Sequence, residues 1–360
     1  MKSTKRIAVL LASICTFSHL AVHAEDYPQN KVEGYLMLDH DIFDAAFTED
    51  NSDSQSETEI RRARLSLKTK WSDNWKSKFQ LDVADGIEVK DAYLQYQGWQ
   101  WFDVTVGQFK EPFGLETQSG SRDLSMIERS MMSDSLAPGR NTGLMLSGHQ
   151  SSFNWQLAYL QDDNPEKTNA VTGRLAWAPL DDNHNLVHLG LAISERNLHG
   201  EEFRINQSFE VHGADSLFEG ERFNAEQNSL LGAELAWRYK GLLTTAEWQQ
   251  ADVLSTTGET YEYQGGYLQL SYLFSGKQRK YDHGSLDEVE GNNDWEISTR
   301  YSQLDLLNEN ESAKTFSLDV NYYLNNETKL MMGYTQAEHF IDNISQGKGD
   351  ALSFRVQYSF

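Results

Sequence analysis

The last ten residues, Ala351-Leu352-Ser353-Phe354-Arg355-Val356-Gln357-Tyr358-Ser359-Phe360, carry the pattern that decides the fold. Leu352, Phe354, Val356, Tyr358 and Phe360 are apolar, and the residues between them are small or polar. A period of two places the two sets on opposite faces of a β-strand. The same alternation recurs upstream. Phe153, Trp155, Leu157 and Tyr159 oppose Asn154 and Gln156; Val187, Leu189, Leu191 and Ile193 oppose His188 and Ser194. Leu231, Ala233, Leu235, Trp237 and Tyr239 oppose Glu234 and Arg238.

A soluble β-sandwich would also alternate, so three further features decide. Strands of about ten residues, joined by alternating short turns and longer loops, run the whole length of the chain. Aromatics stand near strand ends (Trp71, Trp75, Trp99, Trp101, Trp177, Tyr239, Phe360), as in the interfacial girdles of a barrel. The polar face carries full charges within strands, which a packed sandwich core would not tolerate unpaired. The expected fold is therefore all-β, a transmembrane antiparallel β-barrel of about 16 strands, with lipid outside, water inside and no free sheet edge.

Composition agrees. The 360 residues carry a formal charge of −23 and a mean hydropathy of −0.61. No segment after the N-terminal leader supplies the ~18–20 apolar residues of a helical span. Nine Trp, 16 Tyr and 17 Phe exclude a disordered chain. Net acidity argues against nucleic acid as a partner, because phosphate contacts need clustered Lys and Arg.

Residues 1–24 read as a secretory signal peptide. Lys2, Lys5 and Arg6 precede the apolar run Ile7–Val22, and Val22-His23-Ala24 supplies small residues at the −3 and −1 positions of a cleavage site. Cleavage removes the single cysteine, Cys15, and takes the formal charge to −26. A disulfide scaffold is thereby excluded. Residues 25–360 then form one barrel domain. The connections 72–74, 240–241 and 325–327 read as periplasmic turns, and 48–58, 108–140 and 195–227 as outer loops. Parity places both termini in the periplasm, and with them the long acidic connection 276–292.

Charge is unevenly spread. Residues 61–80 hold seven basic groups against one acid, Asp73. With Ala63, Leu65 and Leu67 facing lipid, Arg62, Arg64, Lys68 and Lys70 face the lumen. On the next strand Trp75, Phe79 and Leu81 face lipid and Lys76 and Lys78 the lumen. Two adjacent strands thus build a basic stripe: Arg62, Arg64, Lys68, Lys76 and Lys78 are candidate pore-lining, anion-guiding residues. The alternative is a solvated wall whose cations pair with acids such as Asp82, Asp91, Asp103, Glu234 and Asp319. The acidic excess lies in connections: residues 195–226 carry eight acids and three arginines, and 282–294 five acids with no Lys or Arg. The run Glu49-Asp50-Asn51-Ser52-Asp53 lacks the glycine and spacing of an EF-hand and reads as a solvated loop.

The segment Gly107-Gln108-Phe109-Lys110-Glu111-Pro112-Phe113-Gly114-Leu115-Glu116, followed by Ser121-Arg122-Asp123 and Ile127-Glu128-Arg129-Ser130, resembles the phosphate-selective porin O and P family. So do Ser271-Tyr272-Leu273-Phe274-Ser275-Gly276-Lys277, the stretch from Trp295 to Leu306, and the ending Val356-Gln357-Tyr358-Ser359-Phe360. The resemblance runs from about residue 60 to the end. It implies a homotrimeric outer-membrane porin of sixteen strands whose third outer loop, 108–140, folds into the pore. Lys110, Arg122, Arg129 and Arg140 would then be constriction residues. It implies passive diffusion of small hydrophilic solutes, anions and phosphate-like ions among them. The chain departs from the family's basic pores in its net charge and acidic loops.

Two other function classes compete. An enzyme barrel needs a His with a Ser or Asp partner in reach. The eight histidines beyond the leader form no recognisable catalytic motif, and His184 and His188 on a strand would lie ~13 Å apart, too far to share a metal. No cofactor or metal is expected. An adhesin or structural barrel with a plugged lumen is the other; Phe203, Ile205, Phe209 and Val211 in the 195–227 loop could bind a partner, cap the barrel or pack at a trimer interface.

Overall fold

In the computed structural model the terminal strand is inside-out relative to a water-soluble protein. Val356 and Tyr358 are 49% and 45% exposed, whereas Arg355 is 2% exposed. Apolar side chains point away from the protein and polar ones into it, which is stable only with hydrocarbon outside. The structure describes residues 27–44, 47, 54–161, 168–182, 184–216 and 218–360. The expected leader, 1–24, and the acidic run 49–53 lie outside these residues.

Sixteen strands close into one antiparallel barrel. The chain lays down β1 (Gln29–Phe43), β2 (Gln55–Lys70), β3 (Trp75–Asp82), β4 (Glu88–Tyr96), β5 (Asp103–Lys110), β6 (Arg140–Gln150), β7 (Phe153–Gln161), β8 (Asn169–Asp181) and β9 (Asn185–Phe203). A two-residue ribbon of β10 (Asn206–Gln207) with β11 (Phe218–Glu219) occupies the next connection. The wall resumes with β12 (Phe223–Tyr239), β13 (Leu242–Ser255) and β14 (Thr260–Leu273). A second ribbon, β15 (Tyr281–Asp282) with β16 (Ser285–Leu286), precedes β17 (Asp294–Leu306), β18 (Glu311–Tyr323), β19 (Thr328–Ile341) and β20 (Ile344–Ser359). β20 pairs with β1 and closes the cylinder. Phe360 finishes the seam, exchanging backbone hydrogen bonds with Gly34 at 2.9 and 3.1 Å.

The wall is uneven in height: β3, β4 and β5 have 8, 9 and 8 residues, against 19 in β9 and 17 in β12. The exposed aromatics Trp71, Trp75, Trp99, Trp101, Trp177, Tyr239 and Phe360 all lie at the short-turn, periplasmic end.

Loop boundaries differ from the sequence expectation. The outer connections are 44–54, 111–139 and 204–222, because β2 begins at Gln55, β5 runs to Lys110, β6 starts at Arg140, and β9 and β12 extend to Phe203 and from Phe223. At the outer ends of β9 and β12 the strict alternation of apolar and polar residues fades while the backbone ladder continues.

Three connections reach the inner wall. The segment 111–139 carries α1 (Leu115–Gln118) and α2 (Met131–Ser135). The amides of Leu115 and Glu116 donate to Glu247 on β13 at 2.7 and 2.6 Å, and that of Ile127 to Asp319 on β18 at 2.6 Å. In 204–222, Ile205, Phe209, Val211 and Phe218 are buried in one cluster with Phe113, Met131 and Met132. That loop covers the interior instead of offering its apolar residues outward. From the periplasmic end, Leu286 packs in a cluster with Leu115, Leu186 and Leu243. Full burial of each such side chain is worth about 1.5–3 kcal/mol, which anchors segments that strand pairing does not hold. These fillings occupy the lumen against β9 and β12–β20, leaving open space along β1–β7.

Candidate functional site: a basic passage along one wall

The open space is a series of adjacent cavities. The outer one, about 370 Å³, is lined by Arg61, Arg62, Arg64, Asp82 and the β3–β4 connection. Arg64 also lines the central cavity, about 500 Å³, together with Lys68, Lys78, Lys110, Arg122, Arg129 and Arg140. Lys68, Lys78, Tyr93 and Gln95 continue into a periplasmic cavity of about 390 Å³.

A β-bulge shapes the outer cavity. The β1–β2 register shifts at Met37/Leu38, which face Arg62 and Ile60, so Arg61 is the extra residue. A bulge re-aims side chains, and Arg61 and Arg62 both meet Glu128 of the 111–139 loop, at 2.9 and 3.6 Å. Arg355 on β20 reaches the same carboxylate at 2.6 Å and clasps Asp39 on β1 at 2.5 Å. Burial opposes ionisation of Glu128, but Arg61, Arg62 and Arg355 overcome it and hold its carboxyl well below the usual range.

Further down, Arg64 pairs with Asp82 at 2.7 Å. Lys78 and Arg140 share Asp91 at 2.6 and 2.8 Å, and Lys68 and Lys31 share Glu33, both at 2.7 Å. Lys76 lines the periplasmic cavity and, among the described residues, has no carboxylate within 4 Å. Lys110 and Arg129 turn onto backbone carbonyls: Lys110 donates to Thr117, Gln118 and Ser119, and Arg129 to Glu116 at 3.3 Å and Ser119 at 2.9 Å. Arg122 lies 3.6 Å from Asp123.

Both readings of the stripe are thus represented. Pairing is extensive, including the expected Asp82 and Asp91, but wall acids are shared between cations. A carboxylate shared by two cations leaves one positive charge. The central cavity is lined by seven Lys or Arg and five acids: Glu33, Asp91, Asp123, Asp134 and Asp287. The periplasmic cavity is lined by Lys31, Lys68, Lys70, Lys76 and Lys78 and by no acid. A low-dielectric wall focuses such a surplus onto the passage although the whole chain is strongly negative.

Of the other expected acids, Glu234 pairs with Arg174 at 2.6 Å, and Asp103 accepts from Gln97 at 2.9 Å. His188 is buried between Tyr281 and Glu234, at 2.7 and 3.1 Å, in a structural role.

The family profile of the phosphate-selective porins O and P matches residues 31–360. This chain belongs to that family. Porin O of Pseudomonas aeruginosa is 26% identical over 92% of this chain and 88% of its own length. Among solved structures, the anion-selective porin from Comamonas acidovorans superimposes with a TM-score of 0.64 at 13% identity, covering 93% of this chain and all of that one. The outer membrane channel DcaP of Acinetobacter baumannii gives 0.62 at 10% identity, covering 95% and 100%. At such identities these structures speak for the barrel. As a member of the family the protein is an outer-membrane porin.

Several residues that shape the passage escaped the alternation rule. Arg61 is turned inward by the bulge; two adjacent arginines in an alternating strand were its only trace. Asp287 reaches the central cavity from the periplasmic connection, which nothing in the local sequence marks as inward-turning.

Proposed function

We propose that this porin passes small hydrophilic anions, phosphate-like ions among them, along the β1–β7 wall. The observation that carries the reading is the sharing of carboxylates between cations, ending in a periplasmic cavity lined by five lysines, of which Lys31 and Lys68 share Glu33 and Lys76 has no carboxylate within 4 Å among the described residues. A solute leaving the constriction meets rising positive potential, which draws anions through while multiple weak sites let them go. Porin O and the anion-selective porin, by their names, are consistent with it.

In this reading the 108–140 region narrows the passage. Arg122 and Arg129 from the loop and Lys110 and Arg140 at its two stems border the central cavity. The three adjacent cavities, which share Arg64 on one side and Lys68 and Lys78 on the other, favour conduction over a plugged adhesin. The protein acts as a channel and not as an enzyme, and it assembles as a homotrimer in outer-membrane lipid; a trimer form is recorded for the structurally similar OmpT of Vibrio cholerae. The test is reversal potential across a salt gradient. Changing Arg62, Arg64, Lys76 and Lys78 to Gln should move it toward cation preference. An unmoved potential would refute the anion pathway.

A further inference from the structure

The 274–293 connection does more than turn the chain. Porin turns at this end are short, yet this one sends a ribbon inward and ties it to the wall at three places. Arg238 donates to the Arg279 carbonyl at 2.7 Å, Arg174 to the Gly284 carbonyl at 2.7 Å, and Tyr281 meets His188 at 2.7 Å. Thus fixed, the ribbon touches the 111–139 loop twice. Arg279, buried, donates to the Asp123 carbonyl and to Ser125 Oγ at 2.8 Å, while Glu296 on β17 balances its charge at 3.2 Å. Leu286 packs in one cluster with Leu115. Both contacts lie on the periplasmic flank of the loop, beside Arg122, and Asp287 of the same ribbon borders the central cavity.

We propose that the periplasmic ribbon is a strut that sets the position of the constriction loop, with Arg279 as its positioning residue. The inference rests on the reading of 108–140 as the constriction. Wall side chains hold 115–116 and 127–128, and Lys329, Gln357 and Asn321 on the wall cap the carbonyls of Arg122, Leu124 and Ser125; the ribbon adds the donor to the Asp123 carbonyl between them. Arg279 satisfies the Asp123 backbone carbonyl, which would otherwise lack this donor, a state proteins avoid for buried groups, and it joins the Ser125 hydroxyl, itself bonded to Glu296 at 2.9 Å, to the ribbon. The strut therefore ties pore width to a segment whose outer rim, including Lys280, Asp282, His283 and Glu288, faces the periplasm.

The experiment compares Arg279→Gln, Arg279→Lys and Leu286→Ala with a variant shortened within 116–136, each as full-length protein in planar bilayers, with heat-modifiable mobility verifying a folded barrel. Arg279→Gln should raise single-channel conductance by roughly twofold and move the reversal potential toward zero, since a displaced loop widens the passage and weakens its field. Arg279→Lys should restore much of the wild-type value because it keeps a donor and the charge. Leu286→Ala should shift conductance the same way, and it decides the matter if Arg279→Gln does not assemble. If the shortened loop changes conductance while folded Arg279→Gln and Leu286→Ala conduct as wild type, the strut is refuted and the constriction stands. If none of them changes conductance, both readings fall.

Discussion

Asp287 is the residue at which acidity should be felt. Burial raises its carboxyl to about 6, with Asp123, Asp282 and Glu288 adding to the shift and Arg122 opposing it. The group is therefore ionised at pH 7 and largely neutral at pH 5. Each Asp287 that takes up a proton removes a negative charge from the central cavity, so anion preference should increase as pH falls through about 6. Reversal potentials between pH 7 and 5 measure this, and the response should flatten in Asp287→Asn; an equally steep response would assign it elsewhere. Glu128 offers the opposite manipulation. Glu128→Gln unmasks Arg61, Arg62 and Arg355 and should strengthen anion preference at every pH. Losing one partner from a buried ionic cluster costs about 3–5 kcal/mol, so its unfolding temperature should drop together with the gain in selectivity. Neither residue announced itself in the sequence. Arg62, Arg64, Lys68, Lys76 and Lys78 were legible from parity along two strands. Of the acids beside them, Asp82 and Asp91 were legible in the same way; Glu128 and Asp287 were not, because they arrive from loops whose inward course is set by tertiary packing.

The 111–139 segment shows at the element scale what a local reading can recover. Its length, its prolines Pro112 and Pro138, and the apolar set Phe113, Leu115, Met126, Ile127, Met131 and Met132 already argued against a loop hanging in water, and all six side chains are buried. The expected loop 108–140 takes in three residues of β5 and one of β6, and 195–227 takes in nine residues of β9 and five of β12. Hydrophobic periodicity reports a strand only where its two faces meet different solvents. Removing residues 116–136 should raise conductance and weaken discrimination among anions, read from single channels and mixed-salt potentials. Unchanged conductance with dissociated trimers would make the segment an interface element.

At the scale of the whole molecule, the seam between β20 and β1 is where the barrel closes. Phe360 contributes two backbone hydrogen bonds, and its ring lies over Gly34, where an added Cβ would stand 2.5 Å from the ring. Deleting Phe360 should lower the yield of heat-modifiable barrel in the outer membrane, and wild-type yield would refute its part in closure. The uneven wall has a consequence of a different kind. A membrane-crossing strand needs about 9–11 residues, and β3, β4 and β5 have 8, 9 and 8. Beside them the bilayer must thin or give way to protein, at fractions of a kcal/mol per Å of mismatch. That arc is also the wall along which Lys76, Lys78 and Asp91 line the passage. The elastic state of the surrounding lipid thus bears on the side of the barrel along which the proposed passage runs, and acyl-chain length becomes a physical variable of conduction.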